Sequence, residues 1–171
     1  MRLKDKVAII TGAARGIGAA FAIGFAKEGA KVAIGDIRDG GKTVAAIEKA
    51  GGKAIYVKTD VRIQDQCNAL VKAAVDQFGG VDILINNAGV LVTIKPFYEV
   101  TTEEWMDIMA TNTLGPFHCT KAVFPYMKDK GGRIINISSG TIFEGVPGLP
   151  HYISSKGAVM AFTRGMAREL G

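Results

Sequence analysis

Five short, almost wholly apolar runs punctuate this chain, and a helical pattern follows each of them. Val7–Ile10 leads through glycines to a pattern carrying Ala19, Ala20, Ile23 and Phe25 that closes at Gly29. Lys31–Gly35 precedes a helix over Thr43–Lys49, and Gly51-Gly52 then introduces Ala54–Val57. Gln64–Phe78 reads as a helix stopped by Gly79-Gly80, ahead of a fourth strand at Val81–Ile85. A long helix is expected over Glu103–Met127 with Thr101 or Thr102 as its cap. A strand over Arg133–Ile137 and a last helix over Tyr152–Leu170 complete the series. Short strands without polar alternation are buried on both faces, the condition of a parallel sheet covered by helices on either side. With right-handed crossovers this is a doubly wound α/β fold of at least five strands. Such sheets bind ligands beyond the carboxyl ends of their strands, so the residues just after each run are where function is sought.

A length of 171 residues suits one domain. Its 22 glycines sit singly and in pairs between apolar runs, so they read as turns and close backbone approaches and not as a linker. The net charge of +5 is spread over scattered basic residues, among them Lys4, Lys6, Arg15, Lys27, Lys53 and Arg62. A nucleic-acid surface needs a basic stripe, and this pattern has none; an anionic small molecule fits it better. Cys67 and Cys119 show no metal-type spacing and no CxxC, so no metal is expected and both read as buried thiols of a reducing compartment. No signal peptide and no apolar stretch of membrane-spanning length is visible. The chain reads as soluble and cytoplasmic.

After the first run stands Thr11-Gly12-Ala13-Ala14-Arg15-Gly16-Ile17-Gly18, between a predicted strand and a predicted helix. Glycines there let a diphosphate approach the backbone, and the helix offers free N–H groups at its positive end. Asp36 closes the second strand, where a carboxylate can accept hydrogen bonds from both ribose hydroxyls of NAD and repel the 2′-phosphate of NADP. Arg15 and Arg38 weigh on the other side, since either can reach a phosphate. Near the end of the chain, Tyr152 and Lys156 lie one helical turn apart. A positive charge beside a phenol favours the phenolate and brings its pKa toward the working range of an acid–base catalyst. His151 has no visible carboxylate partner and reads as structural or as a pocket-rim contact. His118 reads as an ordinary helix-face residue, and Trp105 with Met109 as packing.

In this order the motifs resemble the short-chain dehydrogenase/reductase family, whose members include 3-oxoacyl-carrier reductases and secondary-alcohol dehydrogenases. The resemblance runs from Lys6 to Gly171. It implies a Rossmann-like fold and a single NAD-binding domain over residues 1–171. Gly12, Arg15, Gly16, Ile17, Gly18 and Asp36 would hold the cofactor, with Asp60 and Val61 at the adenine and Asn87, Ala88 and Gly89 of Asn86–Gly89 lining the cleft. Asn112, Ser139, Tyr152 and Lys156 match the family's catalytic set. Ser139 would hold the substrate oxygen, at the family's usual interval before Tyr152, which Ser138 misses by one. Tyr152 would transfer the proton, Lys156 would lower the phenol pKa and bind the nicotinamide ribose, and Asn112 would hold a proton-relay water.

The apolar segments Val90–Phe97 and Gly140–Pro150 are expected to wall a site for an apolar alcohol or ketone. Family members also continue past this point with two further strands, in the order 3-2-1-4-5-6-7. Arg133–Ile137 is therefore expected as an open edge, and the chain as the major part of a longer protein. Homo-oligomers, dimers or tetramers, are expected by resemblance. Two functions follow: an NAD-dependent oxidoreductase interconverting a secondary alcohol and a ketone, or a catalytically incompetent NAD-binding module completed by a partner or by missing sequence.

Overall fold

A computed structural model of the chain, describing residues 1–91 and 93–171, contains one parallel sheet in the order β3-β2-β1-β4-β5. The strands are β1 (Val7–Thr11), β2 (Lys31–Asp36), β3 (Lys53–Lys58), β4 (Ile83–Asn86) and β5 (Arg133–Asn136). The helices are α1 (Gly16–Lys27), α2 (Gly41–Lys49), α3 (Gln64–Phe78), α4 (Thr102–Met109), α5 (Gly115–Met127), α6 (Thr141–Glu144) and α7 (Pro150–Glu169). Order reverses between β1 and β4, where the crossovers leave the sheet in opposite directions and open a crevice at the carboxyl ends.

Alternate residues of each strand feed two separate cores. Val7 and Ile9 of β1, with Ala33 and Leu84 in register beside Ile9, pack with Leu70, Val71 and Ala74 of α3 and Ala122 and Val123 of α5. Ala8 and Ile10, with Val32, Ile34, Ile83 and Ile85, meet Ala22 and Ala26 of α1 and Ile47 of α2 on the other face. Burial on both faces is why these strands read as continuous apolar runs. β5 pairs with β4 alone among the described residues, and Ile135 is exposed on it, as the sequence leads one to expect.

Two expectations are corrected. The long helix over Glu103–Met127 is interrupted: a π-helical turn, Ala110–Leu114, separates α4 from α5. Pro116 has no N–H to return to the carbonyl of Asn112, and the Thr113 hydroxyl donates back to the carbonyl of Met109. The ladder widens there, with the N–H of Gly115 reaching Ala110. The segment Gly140–Pro150 is not wholly loop but holds α6, and Phe97–Glu99 forms a 3₁₀ turn. Thr101 caps α4, its hydroxyl accepting from the N–H of Glu104 while the Glu104 carboxylate accepts from the N–H of Thr101. No helix among the described residues is long and apolar enough to cross a membrane.

Candidate active site

The turns after β1 and β4 are built against each other. Gly12 has φ +67°, and a Cβ on it would stand 2.8 Å from the Cα of Ala88. A Cβ on Gly18 would meet the Asn87 amide nitrogen at 2.5 Å. Into the space these glycines leave, Asn87 donates its side-chain N–H to the carbonyls of Thr11 (2.9 Å) and Gly12 (3.2 Å). The backbone N–H groups of Asn87 and Ala88 donate to the Thr11 hydroxyl at 3.1 and 3.0 Å. No side chain caps the N-terminus of α1, so its first N–H groups are open to an anion.

Around this junction lies a cleft of about 650 Å³. Gly12, Arg15, Gly16, Ile17 and Gly18 line it from the first turn and α1, Asp36 from the end of β2, Asp60 and Val61 from the end of β3, and Asn87, Ala88 and Gly89 from the end of β4. Thr59, Arg62, Val90 and Thr111 also line it, and sequence reasoning did not single them out for this role. Arg62 grips the Asp60 carboxylate at 2.6–3.0 Å and holds its pKa below the ordinary carboxylate value. Asp36 is nearly buried, and its two oxygens accept from the N–H groups of Ala14 and Arg38, each at 2.9 Å. Both bonds aim a fixed anion at the cleft, and each oxygen keeps a lone pair.

Beyond Gly89 the catalytic candidates gather. A Cβ on Gly89 would lie 3.2 Å from the Asn112 side-chain oxygen and 3.4 Å from Lys156 Nζ, so this glycine joins the cleft to both. Lys156 is buried, donates to the carbonyl of Ile137 at 2.8 Å, and stands 5.8 Å from the centroid of the Tyr152 ring. Burial pushes its ammonium pKa below the usual lysine value. Asn112 sits in the π turn, fully buried. Its oxygen accepts from the N–H of Val90 (2.8 Å), and its amide donates to the carbonyl of Val90 (3.0 Å) and to Ser155 Oγ (3.0 Å). Ser155 in turn donates to the carbonyl of Tyr152 at 2.7 Å.

The two adjacent serines differ in what occupies them. Ser138 donates to the carbonyl of Lys156 at 2.9 Å and so anchors α7. Ser139 only accepts, from the hydroxyl and N–H of Thr141 at 2.9 and 3.3 Å, which leaves its own proton to give. Ser139 and Tyr152 share no hydrogen bond among the described residues. Lys95 donates its backbone N–H to the carbonyl of Gly148 at 3.2 Å, so the segments Val90–Phe97 and Gly140–Pro150 do meet. Leu91 (62 %), Ile94 (64 %) and Phe143 (80 %) face solvent, Ile142 and Val146 are half-buried and Leu149 is buried; Val92, part of the expected wall, lies outside the described residues.

His151 is interior and not at a rim: it is fully buried and neither ring nitrogen has a partner among the described residues. Burial lowers its pKa, opposed by the nearby Glu104 and assisted by Lys95. His118 is more than a helix-face residue, since its Nδ1 lies 3.0 Å from the carbonyl of Val61 in the cleft wall. Trp105 is 36 % exposed on α4, so most of its surface is covered, and Met109 is half-buried.

The short chain dehydrogenase family model matches residues 6–171. The chain is 41 % identical to the uncharacterized oxidoreductase YhdF of Bacillus subtilis, over 99 % of this chain and 59 % of that protein. It is 41 % identical to the 3-oxoacyl-[acyl-carrier-protein] reductase FabG of Vibrio cholerae, over 99 % and 69 %. It is 42 % identical to the galactitol 2-dehydrogenase of Agrobacterium fabrum, over 99 % and 66 %. The crystal structure of a proposed short-chain alcohol dehydrogenase from Sinorhizobium meliloti 1021 superposes with a TM-score of 0.92 at 38 % identity, covering 98 % of this chain and 67 % of that one. The chain thus spans roughly three fifths to two thirds of the length of these relatives.

Proposed function

Because the chain belongs to the short-chain dehydrogenase family, we propose that it carries the nucleotide-binding and proton-transfer parts of an NAD-dependent oxidoreductase that interconverts a secondary alcohol and a ketone. One observation carries the reading: a buried lysine ammonium stands 5.8 Å from the ring centroid of Tyr152 and beside Gly89 of the cleft. The cleft suits a dinucleotide, because Gly12 and Gly18 leave room where any Cβ would collide, and α1 presents uncapped N–H groups to a diphosphate. Residues 1–171 then act as one dinucleotide-binding domain. Bound nicotinamide would supply the hydride acceptor or donor, the part of the chemistry no side chain provides.

The protein's own residues do the rest. Ser139 gives a hydrogen bond to the substrate oxygen, and Tyr152 takes or returns its proton. Lys156 brings its positive charge to within 5.8 Å of the Tyr152 ring centroid, beside the proton that is transferred. Asn112 fixes the site: its amide is consumed by Val90 and Ser155, so the relay water expected there would bond to its backbone carbonyl, which Pro116 cannot reach. Asp36 favours NAD by placing a carboxylate where a 2′-phosphate would sit, against the pull of Arg15 and Arg38. Exposed Leu91, Ile94 and Phe143, on the two segments joined by the Lys95–Gly148 bond, favour an apolar alcohol or ketone. Exposed Met106, Phe117, Phe124 and Tyr126 on α4 and α5 offer a surface for a second copy.

The second reading, a module that binds NAD without turnover, draws on the exposure of Leu91, Ile94 and Phe143, which leaves the expected substrate wall open. Tyr152→Phe decides. The proposal expects turnover across a panel of apolar secondary alcohols to drop by about 10²–10⁴-fold with NAD affinity unchanged. Comparable activity in the variant sinks the assignment of Tyr152. NAD binding without turnover in the unaltered chain favours the second reading.

A further inference from the structure

Cys67 and Cys119 are 52 positions apart in sequence, yet their sulfurs stand 3.5 Å apart, with the Cys119 thiol donating to Cys67. Cys67 lies in the first turns of α3 and Cys119 in α5, and these helices pack together over one face of the sheet. Neither is bonded to another cysteine. We propose that the two thiols are an oxidation site that closes reversibly into a disulfide, tying α3 to α5 behind the cleft. This inference does not depend on the reaction the cleft serves.

Geometry and chemistry both favour closure. An S–S bond of about 2.05 Å requires the sulfurs to approach by about 1.5 Å, shared between two side chains. The Cys67 thiol also donates to the carbonyl of Val61 at 3.6 Å, and Val61 lines the cleft, so the buried pair lies against the cleft wall. The positive end of α3 favours a thiolate at Cys67. The hydrogen bond from Cys119 lowers the Cys67 pKa further, while the same contact and burial push the Cys119 thiol well up. By position, Cys67, near the N-terminus of α3 and against the cleft wall, is the thiol that attacks, and Cys119 resolves.

With a hydroperoxide as oxidant the step balances. The Cys67 thiolate takes one oxygen from hydrogen peroxide, giving a sulfenic acid and hydroxide. The Cys119 sulfur then displaces that oxygen as water and yields its proton. In sum, two thiols lose two electrons and two protons, and one hydrogen peroxide becomes two waters. Dithiothreitol reverses it by thiol–disulfide exchange.

The test is to treat the folded chain with hydrogen peroxide, then denature it, alkylate it with N-ethylmaleimide and measure its intact mass. The expected product is about 2 Da lighter than the reduced chain, carries no alkyl adduct, and reverts with dithiothreitol. It should melt roughly 5 °C or more above the reduced form, because a long loop is closed. Cys67→Ser and Cys119→Ser should each lack the 2 Da loss. Two alkylated thiols after treatment, a sulfinic acid on either cysteine, or a disulfide that forms only in urea would each overturn the proposal. If a variant does not fold, the mass of the unaltered chain still decides.

Discussion

Asn112→Ala removes a side chain that ties the segment after β4 to α7, and its cost can be worked from three bonds. The Asn112 amide holds the N–H and carbonyl of Val90 and the hydroxyl of Ser155, at 2.8, 3.0 and 3.0 Å. A typical intramolecular hydrogen bond contributes about 1 kcal/mol net, so their loss costs about 3 kcal/mol. Two effects move that figure. Ser155 is fully buried, and losing a partner there pushes the cost up. Val90 is 40 % exposed, so water can replace its two bonds and pull the cost down. The expected loss is about 2–4 kcal/mol, or roughly 10 °C in Tm for a chain of this length. Urea unfolding of both proteins measures it, with unchanged m-values as the condition for comparing them. Amide exchange at Val90 should quicken, and a double-mutant cycle with Ser155→Ala should show coupling of at least about 0.5 kcal/mol. A loss below about 1 kcal/mol with no coupling would refute the view that Asn112 acts as a clamp between the two segments.

Lys156→Met should abolish turnover yet leave the chain at least as stable at pH 7, because the charge it removes is buried. Since burial lowers the folded-state pKa, the unfolded chain binds more protons between that value and the free-lysine value of about 10.4, so stability should rise with pH across this window. Urea titrations should show that alkaline rise in the unaltered chain and not in Lys156→Met; identical profiles would count against it. His151 is buried without partners and its pKa is lowered, so its contribution should be complete above about pH 6.5 and decline as pH falls below it. His151→Phe should match the unaltered chain at pH 7.5 and lose less stability in acid; parallel acid losses would remove His151 from the account. Asp36→Ser should raise the ratio of NADP to NAD affinity by about 10²-fold or more, from Coulomb repulsion over ~5 Å at an effective dielectric near 20. Calorimetric titration with both cofactors checks this, and an unchanged ratio refutes it.

The legible part of this protein is the part governed by short-range rules. Apolar runs without alternation mark the five strands, Gly79 with its φ of +89° stops α3 where the sequence stops it, and the Thr101–Glu104 box starts α4. The residues after β1, β2, β3 and β4 line one cleft, because a parallel sheet sends all its carboxyl ends to one side, whereas Ser139 after β5 is not part of that lining. The π turn escaped notice because its cause is a conjunction of Pro116, Thr113 and the pull of Val90 on Asn112, and helical periodicity continues through it.

By itself the sequence determined the order of strands and helices and the chemistry placed at each strand end, since these depend on backbone and side-chain preferences within a few residues. It also determined the separation of Tyr152 from Lys156, which is one turn of one helix. Only the tertiary structure decided which distant groups meet: Asn87 with Thr11 and Gly12, Lys156 with the carbonyl of Ile137, His118 with Val61, and Cys67 with Cys119. The physical reason is that each of these contacts is closed by packing elements distant in sequence against the same sheet. Which side chains then touch depends on strand register and on the angle at which the elements cross, and no local pattern carries either.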